Sequence, residues 1–99
     1  MYDMKNLTKL KTLGKLVPNA FKAFLAFDKA VFQDGAISVK DKELIAVAVA
    51  VTTQCPYCIE DHAERARKAG ASDEELAEAT MVAAAMRAGG GVAHATHVV

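Results

Sequence analysis

Three observations predict an all-α fold for this sequence. Apolar residues recur at spacings of three and four, pairs able to cap helices stand just before apolar runs, and nothing after Cys58 alternates like a strand. Leu7, Leu10, Leu13 and Val17, with lysines between them, give a short amphipathic helix. Pro18 ends or restarts it, being well suited to a first helical position. Phe21, Leu25, Val31 and Phe32 then map a second helix whose apolar face Phe24 and Phe27 widen, and Asp34-Gly35 stops it.

Ser38 followed by Asp41 resembles a capping box, and residues 42–53 read as a third helix. Ile45, Val47, Val49 and Val51 alternate with alanine, which would also suit a strand. Alanine favours helix and disfavours strand, so an apolar helix buried on all sides with a charged entrance is the expectation. Pro56 opens a fourth helix with Ile59, Ala63 and Ala66 on one face, ended by Gly70. Ser72 with Glu75 forms a capping box for a fifth, expected to run through Leu76, Ala79, Val82, Ala83 and Met86 to a break at Gly89-Gly90-Gly91. Residues 92–99 read as a terminal turn or frayed tail. The phenylalanines read as core or subunit interface, and Met4, Met81 and Met86 as gap fillers.

The length of 99 residues suits one small domain, residues 1–99, and no repeat or linker divides it. Apolar residues make up 53% of the chain, more than one small core hides, which points to burial between subunits. Twelve Lys and Arg balance twelve Asp and Glu, giving no argument for nucleic acid or an anionic membrane. The charge is nevertheless uneven: residues 1–40 carry seven lysines against three acids, and residues 41–99 five basic against nine acidic side chains. Lysines interrupt every candidate signal-peptide run, and the longest apolar run, Leu44 to Val51, is far short of a membrane span. A cytoplasmic protein is expected. In that compartment a lone cysteine pair more often serves catalysis, redox chemistry or metal binding than stapling.

The two cysteines stand in Cys55-Pro56-Tyr57-Cys58, with His62 four residues later and Glu43 twelve residues earlier. On a helix Cys55, Cys58 and His62 share one side. A helix N-terminus lowers a cysteine's pKa, and His62 can accept a thiol proton or pair with a thiolate. Glu43 can anchor or protonate the imidazole through a water if its helix packs antiparallel to the helix of His62. Three uses remain open: redox chemistry through an intramolecular disulfide, zinc binding with Glu43, His94 or His97 as fourth ligand, and burial as small hydrophobes. Cys-Pro-Tyr-Cys also occurs in glutaredoxins, but that fold needs later strands and a later proline. Here Pro18 and Pro56 are the only prolines. His94 and His97, at i and i+3, read as solvated side chains, and the glycine triplet lacks the Lys-Ser/Thr of a nucleotide loop, so no cofactor is expected.

The pattern E-x11-C-x2-C-x3-H, formed by Glu43, Cys55, Cys58 and His62, resembles the alkylhydroperoxidase AhpD-like branch of the carboxymuconolactone decarboxylase family. The likeness extends through Gly35-Ala36-Ile37-Ser38, Lys42-Glu43-Leu44-Ile45-Ala46 and Ala69-Gly70-Ala71-Ser72-Asp73-Glu74-Glu75, over about residues 18–90. It implies an all-helical subunit of a homo-oligomer, trimeric or hexameric, acting as a thiol-dependent peroxidase or disulfide oxidoreductase. In that mechanism Cys58 attacks the hydroperoxide, Cys55 resolves the sulfenic acid, and His62 with Glu43 relays protons. The implied electron donor is a dithiol, a lipoyl group or a thioredoxin-like protein. Tyr57 departs from better-characterised members, which carry a second histidine there; this favours a disulfide reductase or an adaptor for another peroxidase. The family's other branch implies a further alternative, lactone decarboxylation without a redox cysteine pair.

Overall fold

The computed structural model describes residues 2–99, and among them there is no strand. A 3-10 segment at Met4–Lys9 leads into α1 (Leu10–Leu16), followed by α2 (Pro18–Val31), α3 (Val39–Thr53), α4 (Pro56–Lys68) and α5 (Asp73–Ala95). They divide into two compact units, Met1–Val39 and Lys40–Val99.

In the first unit, the expected amphipathic segment is part 3-10 and part α, and Pro18 takes the first position of α2. The two helices approach closely at Gly14, where an added Cβ would stand 3.0 Å from the Phe21 ring. Phe21 and Phe24 pack with ring centroids 6.5 Å apart, but no residue of α1 or α2 is buried, and Phe24 and Phe27 are exposed.

The second unit carries the core. Val47 of α3, Ala66 of α4, Ala71 of the following turn and Leu76 of α5 form one buried cluster, against which Leu44, Val51 and Ala63 pack. Two similar turns join its helices. After α3, the Cys55 amide donates to the Ala50 carbonyl and the Gln54 amide to the Val51 carbonyl, with Gln54 at φ +55°. After α4, the Ala71 amide donates to Ala66 and the Gly70 amide to Arg67, with Gly70 at φ +100°. Both are Schellman motifs, in which a left-handed residue reverses the chain and satisfies the last carbonyls. Glycine meets that demand freely, whereas glutamine in the left-handed region costs about 1–2 kcal/mol. α4 folds back along α3, so that Glu43 near the start of α3 meets His62 half-way along α4.

α5 opens with the predicted capping box: the Ser72 hydroxyl accepts from the Glu75 amide, and the Glu75 carboxylate accepts from the Ser72 amide. Lys40 adds a 2.8 Å ion pair to Glu75, joining the starts of α3 and α5.

Three expectations are corrected. The glycine triplet does not break α5, which continues to Ala95. Each glycine weakens a helix by about 1 kcal/mol relative to alanine but does not forbid it, and none of the three adopts a positive φ. α3 is not buried all round: Glu43, Val47 and Ala50 face inward, while Ile45 and Val49 are half exposed, because this three-helix unit covers only one of its faces. Met81 and Met86 are exposed rather than filling gaps, since α5 buries only Leu76 and Ala83.

Candidate functional site

All four residues singled out by the sequence lie in the second unit. The turn after α3 delivers Cys55 directly to the N-cap of α4, in extended conformation, with Pro56 at the first helical position. Cys55 Sγ accepts from the Cys58 amide at 3.4 Å, the role a serine or aspartate side chain ordinarily fills. The Cys58 thiol donates to the same sulfur, and that bond, aided by the Cys58 and Tyr57 amides, lowers the Cys55 pKa below the ordinary thiol value. Cys58 bears the opposite effect. Donation to Cys55, together with burial and the negative charges of Cys55 and Asp61, pushes its pKa up to about 11. The reduced pair is therefore asymmetric, with the first negative charge centred on Cys55.

Glu43, one turn into α3, is only 2% exposed. A carboxylate so placed needs compensation, and two side chains of α4 supply it. His62 Nδ1 lies 2.7 Å from Oε2, and Arg65 Nη1 lies 3.6 Å from Oε1. With Glu43 ionised, its carboxylate accepts and Nδ1 is the donor of this bond. Arg65 Nη1 also stands 3.3 Å from that Nδ1, and His62 Nε2 is 3.9 Å from the Asp61 carboxylate. This anchors the ring through Nδ1, with Cys58 one helical turn upstream on the same face.

Arg65 is one of several charged residues that the sequence places on α4. The signal that would have singled it out is its spacing of three from His62, which makes the two helical neighbours. His94 and His97 lie at the end of α5 with ring centroids 5.5 Å apart, His94 Nδ1 bonding the Gly90 carbonyl at 2.8 Å. Among the described residues no group of three or more His, Cys, Asp or Glu side chains is placed to hold a metal ion.

The profile of the carboxymuconolactone decarboxylase family matches residues 18–99. The chain belongs to this family. The family match crosses the boundary between the two units and takes in the whole candidate site. Among solved structures, the chain is similar to a protein from Methanobacterium thermoautotrophicum, with TM-score 0.80 and 38% identity over 85% of this chain and 94% of that one. It is also similar to a carboxymuconolactone decarboxylase family protein from Legionella pneumophila solved in its apo form. There the TM-score is 0.79 and the identity 39%, over 83% of this chain and 73% of that one. In sequence, it is 59% identical over 73 residues, 74% of this chain, to "Uncharacterized protein 4 in cox locus" of Paracoccus denitrificans. This chain spans 66% of the length of that relative. No helix among the described residues is long and apolar enough to cross a membrane.

Proposed function

We propose that this carboxymuconolactone decarboxylase family chain is a thiol oxidoreductase that reduces hydroperoxides through Cys58 and Cys55, with Glu43 and His62 as its proton relay. The observation that carries the reading is the 2.7 Å bond between buried Glu43 and His62, set on the helix that the cysteine pair opens.

The asymmetry of the thiols fits each step. Cys58 holds its proton tightly, so attack on a peroxide requires a base, and the Nε2 of His62 meets that need. The Cys58 thiolate attacks the terminal peroxide oxygen, the O–O bond breaks, and the alkoxide takes a proton from the imidazolium to leave as an alcohol. Cys55 then attacks the Cys58 sulfenic acid, giving the Cys55–Cys58 disulfide and water. A dithiol donor restores the pair by attacking Cys58 and expelling Cys55, whose lower pKa makes it the better leaving group, and is itself oxidised to a disulfide. Lipoyl and thioredoxin-like dithiols are the donor classes of this reading, the cytoplasm its compartment.

A second reading, a disulfide reductase or adaptor without peroxide turnover, is favoured by the lowered pKa of Cys55, because a thiolate at a helix start attacks disulfides directly. We also propose assembly as a homo-oligomer, since Phe27, Met81, Val82, Met86 and Val92 are each more than 60% exposed in the single chain.

Treating the reduced protein with an organic hydroperoxide, while following free thiols and intact mass, tests the first reading. Rapid loss of both thiols is expected, with a sulfenic acid trapped on Cys58 in C55S and no consumption of peroxide by C58S. Thiols untouched by peroxide but oxidised by a lipoyl disulfide would favour the second reading.

A further inference from the structure

The last turn of a helix leaves four carbonyls without partners inside it. At the end of α3, the Ala50 carbonyl accepts from the Cys55 amide and the Val51 carbonyl from the Gln54 amide, both within the turn itself. The hydroxyls of Thr52 and Thr53 fold back on the Val49 carbonyl of their own helix. The Thr52 carbonyl is met from elsewhere: Arg87 of α5, 35 positions later, donates to it from Nη1.

The packing explains how Arg87 comes to stand there. Val49 and Thr52 of α3 line one groove with Val82, Ala83 and Met86 of α5, and Ala83 is only 3% exposed. A residue as small as alanine lets the helices approach, and a long side chain one turn further along the same face of α5 then reaches the end of α3. The guanidinium stays charged at every pH the fold survives. It meets the negative end of the α3 dipole, so its bond to the carbonyl is charge-assisted.

What this bond fastens is a strained turn. Gln54 stands at φ +55°, and a glutamine released from its hydrogen bonds returns to the right-handed region. Pro56 already favours extended backbone at Cys55, so the conformation of Cys55 is set locally, whereas its place relative to α3 is set by Gln54. Fraying of the last turn of α3 would break the bonds of Gln54 and Cys55 to Val51 and Ala50 together, and with them the reason for Cys55 Sγ to stay 3.4 Å from the Cys58 amide.

We propose that Arg87 is a positioning residue for the cysteine pair, fastening the last turn of α3 so that the turn at Gln54 keeps Cys55 Sγ on the first turn of α4. Its use in catalysis rests on the oxidoreductase reading above; its hold on the turn does not.

The test compares the reduced wild type with R87M and R87K, by amide hydrogen exchange and by iodoacetamide alkylation of Cys55 at pH 7. In R87M the Gln54 and Cys55 amides should exchange several-fold faster, while the Ala71 amide in the matching turn after α4 keeps its rate. Cys55 should be alkylated about threefold more slowly, because the bonds at the helix start that favour its thiolate are made for less of the time. R87K, which keeps a cationic donor, should bring both rates most of the way back. R87A carries the same comparison as R87M if methionine is not accommodated. S72A separates positioning from a general loss of stability: it removes the cap of α5 without touching the turn after α3, and should leave Cys55 alkylation at the wild-type rate. Unchanged or faster alkylation in R87M, no rescue by R87K, or the same slowing in S72A would each overturn the proposal. Neither readout depends on turnover. A protein inert to both hydroperoxides and disulfides would sink the oxidoreductase reading and leave the Arg87 measurement standing.

Discussion

Cys55 and Cys58 are chemically identical residues three positions apart, and their surroundings give them opposite acidities. Cys55 collects hydrogen bonds from the Cys58 thiol and from backbone amides at the start of α4, all of which favour its thiolate. Cys58 is the donor of the thiol bond, and losing its proton would set a second negative charge beside the first. Iodoacetamide alkylation of the reduced protein should therefore occur first at Cys55, its rate rising with pH through a midpoint below the ordinary thiol value. C58A removes the donor, so the Cys55 midpoint should move up toward that value and its alkylation near pH 6.5 should slow several-fold. In C55A, the Cys58 midpoint should fall from about 11. Peptide mapping of alkylation rates against pH would check both, and a Cys55 rate in C58A that matched the wild type would show that the thiols do not communicate.

The helices that present these groups are limited by their turns rather than by their interiors. α3 and α4 each end in a left-handed residue, and the turn after α3 leaves Cys55 no freedom to stand elsewhere than at the N-cap. α5 behaves differently. It runs about 35 Å on its 23 residues, and beyond Ala83 all of it is exposed, including Gly89, Gly90 and Gly91. A Cβ added at Gly90 meets nothing within 4 Å, and the backbone there already has the common helical hand. Gly90→Ala should accordingly stabilise the protein by roughly 0.5–1 kcal/mol, seen as a higher denaturant midpoint with unchanged slope. A loss of stability would mean that another chain approaches the glycine closely.

For the molecule as a whole, the core is made of small side chains. Val47, Ala50, Ala66, Ala71, Leu76 and Ala83 are its buried apolar members, while phenylalanines, methionines and valines of α2 and α5 remain in contact with solvent. Burying one such large side chain is worth about 1.5–3 kcal/mol, so the exposed set is a substantial driving force for association. Sedimentation equilibrium should give a mass of several chains, and Met81→Lys combined with Met86→Lys should shift it toward one chain while leaving the helical circular dichroism of each chain largely in place. A wild-type mass of a single chain would overturn the proposed assembly.

What the sequence by itself determined were the features written in local chemistry. Pro18 and Pro56 at first helical positions, the Ser72 and Glu75 box, Gly70 as a left-handed stop and the spacing from Glu43 to His62 all act within a turn or two of chain, or form a recognisable pattern, and each stands where it was read. Tertiary structure decided the rest. The run from Leu44 to Val51 is apolar on every side, so its pattern could not say which face turns inward; packing against Ala66 and Leu76 chose Val47 and left Ile45 and Val49 outside. The glycine triplet has the local character of a stop, yet no turn takes the chain elsewhere and the helix continues. Arg65 looked like one surface charge among several on α4. Only the antiparallel pairing of α3 with α4 brought it to a buried carboxylate 22 positions earlier in the chain, because burial makes that charge need a partner and the partner is chosen in space rather than in sequence.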